Sequence, residues 1–359
     1  MARWRRLTSV AGVATGIAAA GVGAVIAAEK IAVGRLRMVP DPAADELFGE
    51  LRGRPVTVLA DDGVPLYTEI SGLATAPVTI VFCHGYTLSQ DVWHYQRQDL
   101  EHDARLVFWD QRGHGRSGRS DPDHISIGQL GADLAAVLAA TVPAGGRVVL
   151  VGHSMGGMTI MALAAQRPEL FGTLVAGVVL ISTAAAQVDP TGFLPAPLRP
   201  AARWAAPPLL RGSASGRRAE MVERFRQAAG DLAFLSTRFI AFGDPDVSPA
   251  TVDFLERVIR ATPIDVIADF FLALREHDQR PALAVLGAVP VAVLAGAEDR
   301  LIPARVAADL AAGIPGSTLL IVPGAGHAII LERPDIVTEQ ISRLAAIAAD
   351  SAPAPGRPS

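Results

Sequence analysis

Val148-Val-Leu-Val-Gly-His-Ser-Met-Gly-Gly157 is the stretch on which the reading of this chain turns. Residues 148–151 are a β-branched apolar run, which predicts a buried strand. Residues 158–166 predict a helix that follows at once. Between them stands Gly152-His-Ser154-Met-Gly156, a G-x-S-x-G. A strand that turns directly into a helix leaves room only for small neighbours of the serine, and glycine has no Cβ to clash. Such a turn holds the Ser154 hydroxyl clear of the sheet and aims the Met155 backbone N–H at the same space. Five common residues are a weak signal alone. The strand before them and the helix after them make Ser154 a candidate nucleophile rather than a serine in an ordinary turn.

On either side the chain alternates strands and helices. Residues 55–59 and 65–70 flank Asp61-Asp62-Gly63, the pattern of a hairpin. Residues 78–83 are a continuous apolar strand ending in His84-Gly85-Tyr86, and 90–100 follow as a helix. Residues 106–109 form the next strand. It runs into Asp110-Gln-Arg112-Gly113-His-Gly115-Arg-Ser117-Gly118, which contains a G-x-G-x-x-G. A dinucleotide loop must open straight into a helix. Here Pro122 continues the loop, so that reading is rejected. Residues 127–140 are helical by period, with Leu130, Leu134, Val137 and Leu138 on one face. Residues 175–182, 289–295 and 317–322 are further strands, and 334–349 close the chain as a helix.

The rhythm breaks between 187 and 288. Six prolines from Pro190 to Pro208 exclude a long early helix. Helices are expected over 217–229, 249–260 and 263–277. Ile264, Ile267, Phe271 and Leu274 share one face at helical spacing and are expected to pack on the core. Some of Phe234, Phe239, Phe242, Phe270 and Phe271 could also roof an apolar pocket, and both readings can hold.

From about Val56 to Ala349 the chain resembles the α/β-hydrolase superfamily, in the serine branch that carries a cap. The resemblance implies an α/β fold with a mostly parallel eight-stranded sheet, helices on both faces and an inserted helical cap. The division it implies is core over 55–186 and 289–350, with cap over 187–288. The order Ser154, Asp299, His327 is that superfamily's order of nucleophile, acid and base, and each residue follows a predicted strand. Gly296, Asp299 and Pro303 meet the family's Gly-x-x-Asp-x-x-x-Pro, which favours Asp299 over its neighbour Glu298. By the same resemblance the His-Gly pair opens the oxyanion loop. The Tyr86 N–H would be one donor and the Met155 N–H the other. Asp110 and Arg112 would tie loops together, and His84 would brace its loop. His153 points away from Ser154, and His94, His102, His114, His124 and His277 lack a strand edge behind them.

The expected chemistry is cofactor-free and metal-free: attack on a carbonyl, an acyl-enzyme, then water. An apolar ester or related acyl compound is the expected substrate. Carbon–carbon bond hydrolysis and haloperoxidase-like perhydrolysis stay open, and a non-catalytic binding protein is the contrary class. Related epoxide hydrolases and dehalogenases place Asp where this chain has Ser154.

Composition sets outer bounds. The chain has 359 residues, half of them hydrophobic and 19% charged, enough to bury a large core. A net charge of −4 offers no basic stripe for nucleic acid. Cys83 is the single cysteine, so no internal disulfide can form, and no asparagine is present to carry an N-glycan. Residues 7–28 carry no charge and are long enough to span a bilayer. A retained single membrane span within residues 1–38 is the leading expectation. A cleaved signal peptide and a soluble apolar helix are the alternatives. Arg3, Arg5 and Arg6 on one side and Lys30, Arg35 and Arg37 on the other do not choose an orientation. Residues 39–54 read as a linker, and 351–359 as a disordered tail.

Overall fold

The computed structural model describes residue 34, residues 41–187 and residues 230–350. Eight strands form one sheet: β1 (Arg54–Leu59), β2 (Pro65–Gly72), β3 (Val78–Cys83), β4 (Arg105–Trp109), β5 (Arg147–His153), β6 (Val175–Ile181), β7 (Val291–Gly296) and β8 (Thr318–Val322). Their order is β1-β2-β4-β3-β5-β6-β7-β8. β2 runs antiparallel to β1 and β4, and every later pairing is parallel. This is the mostly parallel eight-stranded sheet that the resemblance to the α/β-hydrolase superfamily implies. The β1–β2 hairpin closes on Gly63, whose φ of 82° suits glycine at the tight turn.

The described helices are α1 (His94–Leu100), α2 (Ile127–Thr141), α3 (Met155–Gln166), α4 (Gly230–Ala241), α5 (Pro249–Ala261), α6 (Ile264–Glu276), α7 (Leu283–Leu286), α8 (Ala304–Gly313), α9 (Ile329–Glu332) and α10 (Pro334–Asp350). Strand side chains alternate between two apolar layers, as the period of two requires. Val81, Leu150, Leu180 and Val293 face α2, α3 and α8. Phe82, Val151, Val179 and Leu294 face the layer holding Leu100 of α1 and Ile341 of α10. Ser126 caps α2 by accepting from the Gln129 N–H at 3.0 Å.

Between β6 and β7 the described helices are α4, α5, α6 and the short α7. The expected helix over 217–229 lies outside the described residues, as does the tail 351–359. α4 was not expected. α6 also differs from expectation. Its core-facing stripe is Val266, Phe270, Ala273 and Leu274, whereas Ile264 and Ile267 are only half-buried. Nearly every position from 264 to 274 is apolar, so period alone does not choose a face; the fit of Phe270 against His114, ring centroids 5.0 Å apart, does.

Residues 41–53 lie on the α5 side of the molecule. The Phe48 ring stacks on Phe254 at 4.6 Å, and the Ala250 N–H donates to Asp41 Oδ2 at 2.8 Å. The expected N-terminal membrane span is corrected: no helix among the described residues is long and apolar enough to cross a membrane. Residues 7–28 lie outside the described residues, and membrane attachment plays no part in the functional reading.

The turn after β4 is built on a buried carboxylate. Asp110 accepts the Gln90 N–H at 2.7 Å and the Arg116 N–H at 2.9 Å. Burial raises its pKa from 3.8 to about 6, despite those two bonds. A raised carboxylate stabilises the fold most below its unfolded pKa, and that contribution is lost as pH climbs through the folded value. The stability of the wild type relative to Asp110→Asn should therefore fall between about pH 4 and pH 6, by roughly 3 kcal/mol. Chemical denaturation of both proteins across that window checks it; a pH-independent difference would contradict it.

Candidate active site

Ser154 stands between the end of β5 and the start of α3 with φ 52° and ψ −117°. A non-glycine residue held there costs of order 1–3 kcal/mol, so the surroundings must over-determine it. They do. The Ser154 N–H donates to Ile181 O at 2.9 Å, and its carbonyl accepts from Gly157 N–H at 3.0 Å and Thr183 Oγ1 at 2.7 Å. Gly156 is obligatory for a separate reason: a Cβ there would lie 2.0 Å from the Cys83 carbonyl oxygen on the neighbouring strand. Cys83 itself is buried, and burial pushes its thiol up to about 12.

Asp299 lies on the loop after β7 and His327 on the loop after β8. His327 Nδ1 and Asp299 Oδ2 are 2.9 Å apart. The other carboxylate oxygen accepts the Leu301 N–H at 2.9 Å and the Ile302 N–H at 2.8 Å. A carboxylate can only accept, so Nδ1 carries the proton and Nε2 is left as the acceptor. Glu298, the rival acid, is exposed, whereas Asp299 is buried. Ser154 and His327 come together through His153, the residue before the serine. Its Nε2 lies 2.9 Å from the His327 carbonyl oxygen, and the two rings are 4.9 Å apart. The Ser154 hydroxyl and the His327 ring make no direct hydrogen bond in this structure.

The His84-Gly85 loop closes the other side. A Cβ on Gly85 would lie 3.2 Å from the Ser154 Cβ, so the loop passes directly over the serine. His84 Nε2 accepts the Gln111 N–H at 2.9 Å, which leaves Nδ1–H to donate to the Gly85 carbonyl at 2.8 Å. That carbonyl and the Tyr86 N–H belong to one trans peptide, so fixing the first aims the second. Met155 opens α3, where the first N–H groups have no intrahelical acceptor. Burial lowers His84 and His153 to about 3 and His114 to about 4, so all three are neutral braces at ordinary pH.

One residue that holds the site escaped the sequence reading. Glu332 accepts Gly243 N–H and Asp244 N–H at 2.8 Å each through Oε1, and Gly326 N–H at 2.6 Å through Oε2. It thereby staples the His327 loop to the end of α4, where Gly326 and Gly243 approach too closely for any Cβ. A glutamate five residues after the histidine was a signal, but its partners are backbone groups. Among the aromatic candidates for a pocket roof, all but one are buried. Phe234, Phe242 and Phe270 are core residues, and Phe239 is 58% exposed with the Arg300 guanidinium over its ring. Asp110 and Arg112 tie loops together. Among the described residues no group of three or more His, Cys, Asp or Glu is arranged to hold a metal ion.

The sequence model of the alpha/beta hydrolase fold matches residues 78–334. A pimeloyl-[acyl-carrier protein] methyl ester esterase of Pectobacterium atrosepticum is 29% identical over 281 residues, covering 77% of this chain and 96% of the relative. Among solved structures, an esterase from Thermogutta terrifontis superposes with a TM-score of 0.64 at 23% identity, covering 82% of this chain and 99% of its own. An enol-lactonase from Burkholderia xenovorans gives the same TM-score and identity, covering 81% of this chain and 100% of its own. At that identity the two structures speak for the fold alone.

Proposed function

The chain belongs to the alpha/beta hydrolase fold family and is a hydrolase; from that premise we propose that it cleaves a carboxylic ester through Ser154, His327 and Asp299. The Asp299–His327 pair carries this reading, because a bond at 2.9 Å to a carboxylate anchored by two backbone N–H groups leaves one imidazole nitrogen free to accept a proton. Ser154 Oγ attacks the ester carbonyl as His327 Nε2 takes its proton. The carbonyl oxygen becomes an oxyanion held by the backbone N–H groups of Met155 and Tyr86. Collapse expels the alcohol, protonated by His327, and leaves an acyl-enzyme. Water then repeats the sequence and releases the acid. The relative in Pectobacterium is named for a methyl ester, which supports an ester with a small alcohol as the substrate class.

A chromogenic ester series of increasing acyl length tests this. Turnover with an optimum at one chain length, abolished in Ser154→Ala, is expected. Activity should also fall on the acid side of its pH profile, since only a neutral imidazole accepts the serine proton. Turnover that survives Ser154→Ala would overturn the assignment. A folded wild type inert on every ester would shift the reading to carbon–carbon cleavage or perhydrolysis.

A further inference from the structure

The oxyanion loop is held from two sides. The core side is the His84 bond to Gly85. The other side is the corner between α5 and α6. Thr262, 2% exposed at that corner, donates from Oγ1 to the Thr87 carbonyl at 2.9 Å. Five residues on, the Ile267 carbonyl in α6 accepts from the Tyr86 hydroxyl. Thr87 needs such restraint. Its φ is 61°, a region that glycine fills readily and a β-branched residue seldom does. Its own Oγ1 donates to the Tyr86 carbonyl at 2.6 Å, tightening the same turn. α6 is in turn fixed to the body. A Cβ on Gly113 would lie 3.0 Å from Val266, and Phe270 packs on His114, whose ring is 6.4 Å from that of Tyr86.

We propose that the α5–α6 corner sets the oxyanion hole, with Thr262 and the Tyr86 hydroxyl acting as positioning groups for the Tyr86 N–H. Tyr86 does two jobs with two parts of one residue. Its backbone is the donor to the developing negative charge, and its side chain is the strut that ties this donor to α6. The inserted helices are thus part of the transition-state geometry and more than a lid over the substrate. A shift of α6 away from the sheet releases the strut, lets the Thr87 turn relax, and withdraws the N–H from the oxyanion position. Donors placed for the oxyanion act on the transition state and hardly on the bound ester. The expected signature is therefore a fall in kcat with little change in KM.

The inference rests on the serine-hydrolase reading, and the experiment separates the two. Wild type, Tyr86→Phe, Thr262→Val, the double variant and Thr262→Ser are assayed on the best chromogenic ester. Each is also tested with a trifluoromethyl ketone, which forms a tetrahedral oxyanion on the serine, and with the product acid. Tyr86→Phe keeps the backbone N–H, and Thr262→Val keeps the shape of the side chain. Moving one donor costs less than deleting it, which is worth about 100-fold or more. The double variant should lose roughly 10- to 100-fold in kcat and a similar factor in trifluoromethyl ketone affinity. KM and product affinity should stay within about twofold, and Thr262→Ser should behave as wild type. A folded double variant with unchanged kcat, or one losing ketone and product affinity equally, overturns the proposal. If Thr262→Val does not fold, Tyr86→Phe alone decides on the same criteria. Absence of Ser154-dependent turnover in wild type fails the parent reading and takes this one with it. Normal wild-type turnover with unaffected variants fails this one alone.

Discussion

Asp299→Asn is expected to lower kcat by about 10⁴ while leaving the fold and KM nearly intact. The reason lies in which atom carries the imidazole proton. Asp299 Oδ1 accepts two backbone N–H groups and Oδ2 faces His327 Nδ1. An asparagine must keep its oxygen on the two backbone donors, so its amide N–H₂ turns to the ring. Nδ1 then has to accept, and the proton moves to Nε2. In that tautomer the ring has no lone pair to offer Ser154, and the general base is lost with every atom in place. Steady-state kinetics beside a crystal or NMR check of the ring's protonation measure it. A loss under tenfold would mean that Asp299 does not orient the base.

Arg112→Met is expected to cost about 3–5 kcal/mol of stability, the penalty of stranding buried charge. At roughly 2–4 °C per kcal/mol, that lowers Tm by on the order of 10 °C. Arg112 is wholly buried. It reaches Asp133 through Nε at 2.7 Å and through a terminal nitrogen at 2.6 Å, and Asp62 at 2.7 and 3.2 Å. Asp133 is also wholly buried, so its charge would be left without a counter-charge. The cation holds Asp62 down to about 2. A lowered carboxylate stabilises the fold above its unfolded pKa, so this part fades as pH falls from about 4 toward 2. Adding Asp133→Asn to Arg112→Met should recover part of the loss, because the two residues share one interaction. Thermal unfolding of the single and double variants at neutral pH decides it. A Tm within a degree or two of wild type in Arg112→Met would refute the account.

Much of the site was legible because it obeys local rules. The elbow announces itself through small residues around a serine between a strand and a helix. Asp299 and His327 each sit just past an apolar strand, and parallel strands deliver such loops to one edge. The preference for Asp299 over Glu298 came from the family's spacing of Gly296 and Pro303, and Asp299 is the one beside His327 in the structure. What was missed shares one property: the partner is a backbone group or lies far along the chain. Glu332 acts on three N–H groups, and Thr262 acts on a carbonyl 175 residues away. Neither kind of partner leaves a side-chain pattern to find.

By itself the sequence determined the strands, their boundaries to within a residue or two, and the loops after them that carry Ser154, Asp299 and His327. Those follow from apolar period and from backbone conformations open only to small residues, and both act over a few neighbours. Tertiary structure alone decided the face that α6 turns to the core, the burial of Phe234 and Phe270, and the docking of residues 41–53 on α5. It also decided the attachment of the loop carrying Tyr86 and Thr87 to the α5–α6 corner. Where nearly every side chain of a helix is apolar, period cannot rank its faces. The outcome then rests on which shape fills the space left by residues distant in the chain.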